Sequence, residues 1–542
     1  MKKTILSQQG VVNALRAFTL VLLFLLPGII GAQSFPKLSQ KQPPKQPPKE
    51  FRFVAYFFTQ GVMNNIYARN DFLNGQTVGR LFGRNTTTTA GFETAYFEQR
   101  LLPFFIYQPR LFNGRAILRA SFEIDWTWGD RSYGIGGNTG SAFNADQVNI
   151  QTQNVELELI PRSGVAVNLG LQRLFDTPYN PYRTFFSTMT YTGYRLAFWG
   201  SDAVGISVRY DRDYSRTKAG YYQLYENSIQ KKDDVVLWEV MHEQDITPTW
   251  RQGVSVWWVN DRANGAGGVS ILGQGLNSLL NDYNGTFRFP LGNTSTRPYR
   301  ADIYWIGTFW NRNPEFTLGR WMTGGFAITN RGSVHVKQPD GETQKTDIRG
   351  YAANFRAGYR YGQTAEDALT LDVVYASGDR DTLSDHRYSG VITGNTYGSP
   401  GAIFISHGSY LLMPHGNVVN RFVAAVNDLS NLGLGMWFGS LNLSKDIIPN
   451  KLSLKVSGAA AVSQYAPPQG DKFIGKELNF RFSYRPGVFM NLELHGAYLW
   501  LGDFYTSSVV NGKQEKQSDP PVRTTKPRNP WTVFLVFKWL MF

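Results

Sequence analysis

From Phe51 onward apolar and polar residues alternate with a period of two, the pattern of extended strands whose two faces meet different surroundings. Between 115 and 128 the even positions read Ala116, Leu118, Ala120, Phe122, Ile124, Trp126 and Trp128. The odd positions read Arg115, Ile117, Arg119, Ser121, Glu123 and Asp125. The same alternation sets Val204, Ile206, Val208 and Tyr210 against Gly205, Ser207, Arg209 and Asp211, and Leu478, Phe480, Phe482 and Tyr484 against Glu477, Asn479, Arg481, Ser483 and Arg485. It predicts eighteen strands, near 51–65, 91–107, 115–129, 147–160, 165–174, 193–201, 203–212, 234–245, 249–262, 298–312, 315–330, 346–362, 366–378, 433–445, 451–464, 476–485, 488–501 and 530–542.

A soluble sandwich also alternates, but it has no reason to sort its connections by length. Here the breaks at 108–114, 161–164, 202, 246–248, 313–314, 363–365, 446–450 and 486–487 are short, and every break between them is longer. Short turns on one side of a membrane and long loops on the other produce that rhythm, and aromatic girdles with apolar-out, polar-in strands complete it. The expected fold is all-β: a transmembrane antiparallel up-and-down β-barrel of about 18 strands, with short periplasmic turns and long extracellular loops. Eighteen strands enclose a lumen too wide for side chains alone to fill.

Composition changes the picture only at the edges. Charged residues are 18% and aromatics 15%, and mean hydropathy is −0.29. Past the first 40 residues no apolar run approaches the ~20 residues of a membrane helix. The absence of cysteine excludes disulfides, thiolate metal sites and Cys nucleophiles. Lys2, Lys3 and Arg16 precede an apolar stretch that ends in Ile30-Gly31-Ala32, so 1–32 reads as a secretory signal peptide. Residues 33–50, with QPPK at 42–45 and again at 46–49, read as an extended, solvated periplasmic tether ahead of a barrel over 51–542. Removing three positive charges with the first piece and a net three with the second from the formal +14 leaves +8 on the barrel. That is too mild to favour nucleic acid as a partner. The expected surroundings are membrane lipid and, through the aromatic-ended strand Trp531–Phe542, the barrel-insertion machinery. The expected location is the outer membrane of a Gram-negative bacterium, with both termini periplasmic.

Alternation assigns Arg115, Arg119, Arg209, Arg300, Arg356, Arg360, Lys455, Arg481 and Arg485 to the inner wall, together with Glu123, Asp125, Glu156, Glu158, Asp302, Asp372 and Glu493. Guanidinium and ammonium groups at a constriction steer anions and release them again. The plainer reading is that these charges pair across strands and keep the wall hydrated. Glu156 and Glu158 fall ~7 Å apart on one face, a separation seen in glycoside hydrolases, yet an adjacent arginine relieves their repulsion more simply. None of the six histidines has metal spacing such as HExxH. His386, His407 and His415 share the loop 379–432 with Asp379, Asp381, Asp385 and Ser406, and exposed loop histidines are the simpler account. No enzyme activity, cofactor or metal is expected. Two loops are too apolar for free solution, 263–297 and the helically spaced 417–429, and either could fold into the barrel mouth or grip a partner protein.

Several segments carry a family resemblance. VNLGLQR at 167–173, followed by Arg183-Thr184-Phe185 and TGYRL at 192–196, resembles the alginate-export family of outer-membrane barrels. So do LDVVYASGDRD at 371–381, leading to Pro414-His415-Gly416, and IGKELNFR at 474–481 with the following 492–505. The resemblance implies an 18-stranded channel with an arginine-rich pore for an anionic polysaccharide, and it adds Arg195, Asp379 and Arg481 as pore-lining candidates, with Arg173. In this chain Arg173 is displaced by two from the family's Gly-Arg-Gln, and alternation groups it with Leu169 and Leu171. For Asp379 the alternative is simple turn chemistry after Gly378. The reading at this stage is a passive channel for anionic or saccharide solutes, an exopolysaccharide among them. A nonselective porin, or a docking or structural subunit of an envelope secretion complex, are the alternatives.

Overall fold

The computed structural model describes residues 49–68, 87–128, 147–173, 202–225, 232–264, 299–338, 340–380, 386–392, 409–413, 425–426, 430–507, 510 and 527–541. The signal peptide, nearly all of the tether, the strand at 193–201, the apolar loop 263–297 beyond Asn264 and most of 417–429 lie outside them.

Eighteen antiparallel strands form one closed ring. They are β1 (Phe51–Ala68), β2 (Thr87–Tyr107), β3 (Ala116–Trp128), β4 (Gln147–Arg162), β5 (Val165–Arg173), β6 (Asp202–Asp211), β7 (Ser215–Tyr225), β8 (Val235–Thr247), β9 (Trp250–Asp261), β10 (Tyr299–Arg312) and β11 (Trp321–Lys337). After the short β12 (Thr343–Ile348) come β13 (Tyr351–Arg360) and β14 (Ala368–Ala376). After the two-residue β15 (Arg387–Tyr388) come β16 (Met436–Ile448), β17 (Leu452–Ser463), β18 (Phe473–Gly487), β19 (Met490–Leu501) and β20 (Trp531–Met541). Each ring strand pairs with its neighbours in the sequence, and β1 pairs with both β2 and β20, so no edge is left. β12 and β15 stand off the ring: β12 extends the upper part of β11, and β15 runs parallel to β12.

The polarity of this cylinder is inverted. Val204, Ile206, Val208 and Tyr210 are exposed while Ser207 is 3% exposed; Leu478, Phe480 and Phe482 are exposed while Glu477 is 2% exposed. In water each such exposed side chain forgoes about 1.5–3 kcal/mol of burial; against hydrocarbon it forgoes nothing, and only a closed barrel satisfies its backbone there. Tyr221, Trp238, Trp258 and Tyr304 form an outer aromatic row toward the long-loop end, Tyr221 edge-on to Trp238 and the other neighbours stacked. Trp250, Trp321 and Tyr359 lie at strand ends on the short-turn side. These are the two aromatic girdles of a membrane-spanning barrel.

Connections alternate in length around the ring. The short ones run from Ser163–Gly164 up to 108–115, and the long ones from 226–234 up to 377–435. Gly164 (φ +80°) makes the tightest turn possible, since a Cβ there would stand 2.6 Å from the Asp211 carbonyl. Phe51 pairs with Tyr107 and Met541 with Ala55, so both ends of the barrel sit on the short-turn side.

The turn expected at 202 falls inside β6, and three larger departures from the sequence expectation stand beside it. β7 occupies 215–225, expected as loop, and its outer face (Thr217, Ala219, Tyr221) is too weakly apolar to announce a strand. β10–β11 is joined by 313–320 instead of 313–314, because the Asn313 side chain bonds Leu318, Gly319 and Trp321 and holds a wider turn. β11 also runs on to Lys337 with β12 against it, where a loop was expected.

The short turn 361–367 is fastened by Asp367, whose carboxylate accepts from the amides of Gln363, Thr364 and Asp446 and from Lys445 at 2.9 Å. Burial raises this carboxyl, but Lys445 and those amides outweigh it and pull it down to about 2. That lies below the ~3.9 of an unfolded aspartate. The turn's stabilisation is therefore complete above about pH 4 and is lost as pH falls through about 2. In thermal unfolding in detergent, Asp367→Asn is expected to lower the midpoint at pH 7 and to match the wild type near pH 2.

Candidate functional site

Strand parity turns one set of polar side chains into the cylinder, and most of their charges are internally paired. On β3–β6, Arg119 bridges Glu156 at 3.1 Å and Glu158 at 3.0 Å, and Arg209 reaches Glu158 at 3.5 Å and Asp211 at 3.0 Å. Asn168, Gln172 and Ser207 continue this network. The arginine thus resolves the paired carboxylates, leaving no separated acid and base for hydrolysis. On β7–β8, Lys218 and Tyr222 both meet Glu239. On β19–β20, Glu493 takes hydrogen bonds from Lys538 (2.8 Å) and Asn491 (2.6 Å), with His495 at 2.9 Å.

The arc from β13 to β18 is different. Arg356 pairs with Asp372 at 3.2 Å, and Asp372 also accepts from Asn354. Among the described residues, the buried Nε of Arg360, further down β13, has no hydrogen-bond partner. Lys455 and Arg481 face each other directly across β17 and β18, both inward. Like charges directly opposite are destabilising, and among the described residues no carboxylate lies within ion-pair distance of Lys455. Glu366 supplies the nearest relief. It rises from the turn 361–367 to place one carboxylate oxygen on Arg481 and the other on Arg485, each at 3.1 Å. One carboxylate serves two guanidiniums beside the Lys455 side chain.

Parts of the long connection 377–435 line the interior at the opposite end. The Glu477 carboxylate accepts from Ser409 Oγ (2.9 Å) and from the backbone N–H groups of Tyr410 (2.6 Å), Leu411 (3.0 Å) and Leu412 (2.7 Å). Tyr410 Oη lies 2.8 Å from His495 Nδ1. Trp305 Nε1 donates to the Ile392 carbonyl, and the Ile392 amide donates to Asn330. Val391, Ile392, Leu411, Leu412 and Met413 join wall residues Trp305, Val374, Phe438 and Leu499 in one apolar cluster. A chain segment held this way is part of the wall.

The remaining candidates fall elsewhere. Arg115 ends the turn 108–115 as an exposed residue at the short-turn rim, not on the lumen wall. Arg300 and Asp302 are on the outer face, contrary to the alternation reading. The inner face of β10 is apolar (Tyr299, Ile303, Trp305, Phe309) because folded chain covers it, and that reversed the apparent parity. Asp379 is a staple in the long connection, accepting from the Ser389 amide at 2.7 Å. Arg173 closes β5 opposite Asp202, with its side chain outside the described set, as are those of Glu123 and Asp125; Arg195 lies outside it altogether. Of the loop histidines, only His386 is described. Sequence reasoning missed Glu366 and the anchoring role of Glu477. Parity had already turned Glu477 inward, but nothing in the sequence links Glu366 to a strand more than a hundred residues away.

No family model matches the chain, and no curated protein matches it in sequence. The alginate-export resemblance therefore has no family match behind it. Solved structures to which the chain is similar include OccK5 (OpdH) of Pseudomonas aeruginosa, at 9% identity over 90% of this chain and 98% of that one, with a TM-score of 0.44. OpdK of the same organism, solved with vanillate, has 10% identity, the same coverage of both chains and a TM-score of 0.45. OccAB4 of Acinetobacter baumannii has 11% identity, again over 90% and 98%, with a TM-score of 0.43. Likeness at this level says nothing of solute or residues, which rest on this chain's own geometry.

Proposed function

We propose that the protein is a passive channel for small anionic solutes in the outer membrane of a Gram-negative bacterium, its short-turn end and both barrel ends toward the periplasm. The observation that carries this reading is the inward Lys455–Arg481–Arg485 group, three basic side chains with the Glu366 carboxylate bridging two of them. A permeating carboxylate relieves the cross-strand repulsion while bound and leaves it restored on departure, so binding stays weak enough for passage. The polyuronate cargo that the alginate-export resemblance implies has the right charge. The inward segment 409–413 favours a short solute over a polymer. On this reading β20, with Val533, Leu535 and Trp539 outward, is also the strand offered to the insertion machinery.

The test is the reversal potential of the purified protein in a planar bilayer under a tenfold KCl gradient. An anion-selective sign is expected; a cation-selective one overturns the proposal. Benzoate is expected to block chloride current, and an oligouronate to block it no better. Glu366→Gln removes the carboxylate that bridges Arg481 and Arg485 and should raise the chloride-to-potassium permeability ratio roughly threefold, in line with local potentials of several kT at such clusters.

A further inference from the structure

The outer surface at the long-loop end carries charge where lipid-facing residues are expected. Arg300 lies directly opposite His335 across β10–β11, and His335 directly opposite Lys345 across β11–β12. Ala301 pairs with Asp261, so Arg262, next in the chain, stands on the other side of Arg300. Arg262, Arg300, His335 and Lys345 are thus one straight cross-strand row on the outer face. In the row below, Asp302 takes Arg262 at 2.7 Å along with Asn260 and Trp258 Nε1, and Asp347 takes Lys345 at 2.8 Å. Those carboxylates are engaged at the two ends of the row. Among the described residues, Arg300 and His335 in the middle have no carboxylate within ion-pair distance.

One row further down is the aromatic girdle. Tyr221, Trp238, Trp258 and Tyr304 are mutually opposite on β7 to β10, with Trp258 and Tyr304 rings 5.8 Å apart and 8° from parallel. The next position in that row is Arg331, stacked over Tyr351 at 4.8 Å. Aromatic rings of this kind mark the level of lipid headgroups. The basic row lies two strand positions beyond the Asp302 row, ~7 Å along the strands, on the side away from the girdle. It sits at headgroup height or just above it. Arg262 and Lys345 are each balanced by a carboxylate, which leaves Arg300, beside the His335 imidazole, as the row's uncompensated cation among the described residues. An anion with several oxygens, spread along the row, meets that charge and takes charge-assisted hydrogen bonds from its neighbours.

We propose that the row Arg262–Arg300–His335–Lys345 is a binding site for the phosphate groups of a phosphorylated glycolipid in the outer leaflet, its acyl chains lying along the Trp258–Tyr304–Trp310 face. The assignment rests on the outer-membrane reading for which end meets that leaflet, and it is independent of what the lumen conducts. Phosphate is the shared chemistry with free inorganic phosphate, and the covalently attached acyl chains select the lipid, because the apolar face begins directly beneath the row.

The experiment is native mass spectrometry of the detergent-solubilised full chain titrated with bisphosphorylated lipid A, its dephosphorylated form and inorganic phosphate. Retention of bisphosphorylated lipid A at least tenfold above the other two is expected. Arg300→Ala with Lys345→Ala should abolish that preference, and Lys337→Ala, on the same face but off the row, should keep it. Channel conductance of the double variant confirms that it has folded. Equal retention of the phosphorylated and dephosphorylated lipid, or inorganic phosphate binding as tightly as the lipid, overturns the glycolipid site. Preference surviving in the folded double variant overturns the residue assignment. A cation-selective lumen touches neither result.

Discussion

Arg481→Glu combined with Lys455→Glu is expected to turn an anion-selective reversal potential into a cation-selective one. The group formed by these residues with Arg485 and Glu366 has formal charge +2, and the double reversal makes it −2. An ion passing about 8 Å from a wall charge, at an effective dielectric near 20, feels roughly 2 kcal/mol per charge. Each factor of ten in permeability ratio needs only about 1.4 kcal/mol. The change is therefore large enough to cross zero even after salt screening, and it should shrink between 0.1 and 1 M KCl as the Debye length falls from about 10 to 3 Å. An unchanged sign in a variant of normal conductance would mean that ions pass along another part of the wall.

The second large effect is expected at Glu477. Replacing it with alanine leaves one hydroxyl and three backbone N–H groups, those of Ser409 to Leu412, without their acceptor. Each unsatisfied buried donor costs about 1–3 kcal/mol, so the segment is better hydrated than left against the wall. The expected result is a single-channel conductance at least about twice the wild-type value, with open-channel noise, and rapid hydrogen exchange at 410–412. The ring itself does not depend on this contact, because β18 stays paired to β17 and β19 along its length. Heat-modifiable gel mobility should therefore be retained. Slow exchange at 410–412 and unchanged conductance would show that the apolar cluster around Leu411 and Leu412 suffices to hold the segment.

The ring was legible in the sequence wherever one face meets lipid and the other meets polar groups. β3, β6 and β16 to β19 follow the alternation closely, since there every second residue is forced apolar by its surroundings. β7 escaped because its outward Thr217 and Ala219 contribute little hydropathy, while Arg216 and Lys218 made the segment look like loop. The total of eighteen was reached with 193–201 counted in place of 215–225, which preserved the short–long rhythm. β10 shows the complementary failure. Folded chain makes its inner side as apolar as its outer side, so period two survives but its sign is lost, and Arg300 was turned the wrong way. The inner charges of β3, β13, β17 and β18 were visible one at a time. Their pairing was not: Arg119 with two glutamates, or Glu366 with Arg481 and Arg485, depends on strand register and on a turn leaning inward, neither of which is written locally.

The seam between β1 and β20 joins Asn64 to Thr532 and Ala55 to Met541. These are the most distant partners in the chain, so loop-closure entropy makes them the most costly to bring together and they form late. Until they meet, the growing sheet exposes two unsatisfied borders to a medium that offers no water to cover them. Assembly in the bilayer is thus a race between zipping this junction and pairing with a stranger, and whatever shields β20 during that interval decides how much of the synthesised chain becomes pore.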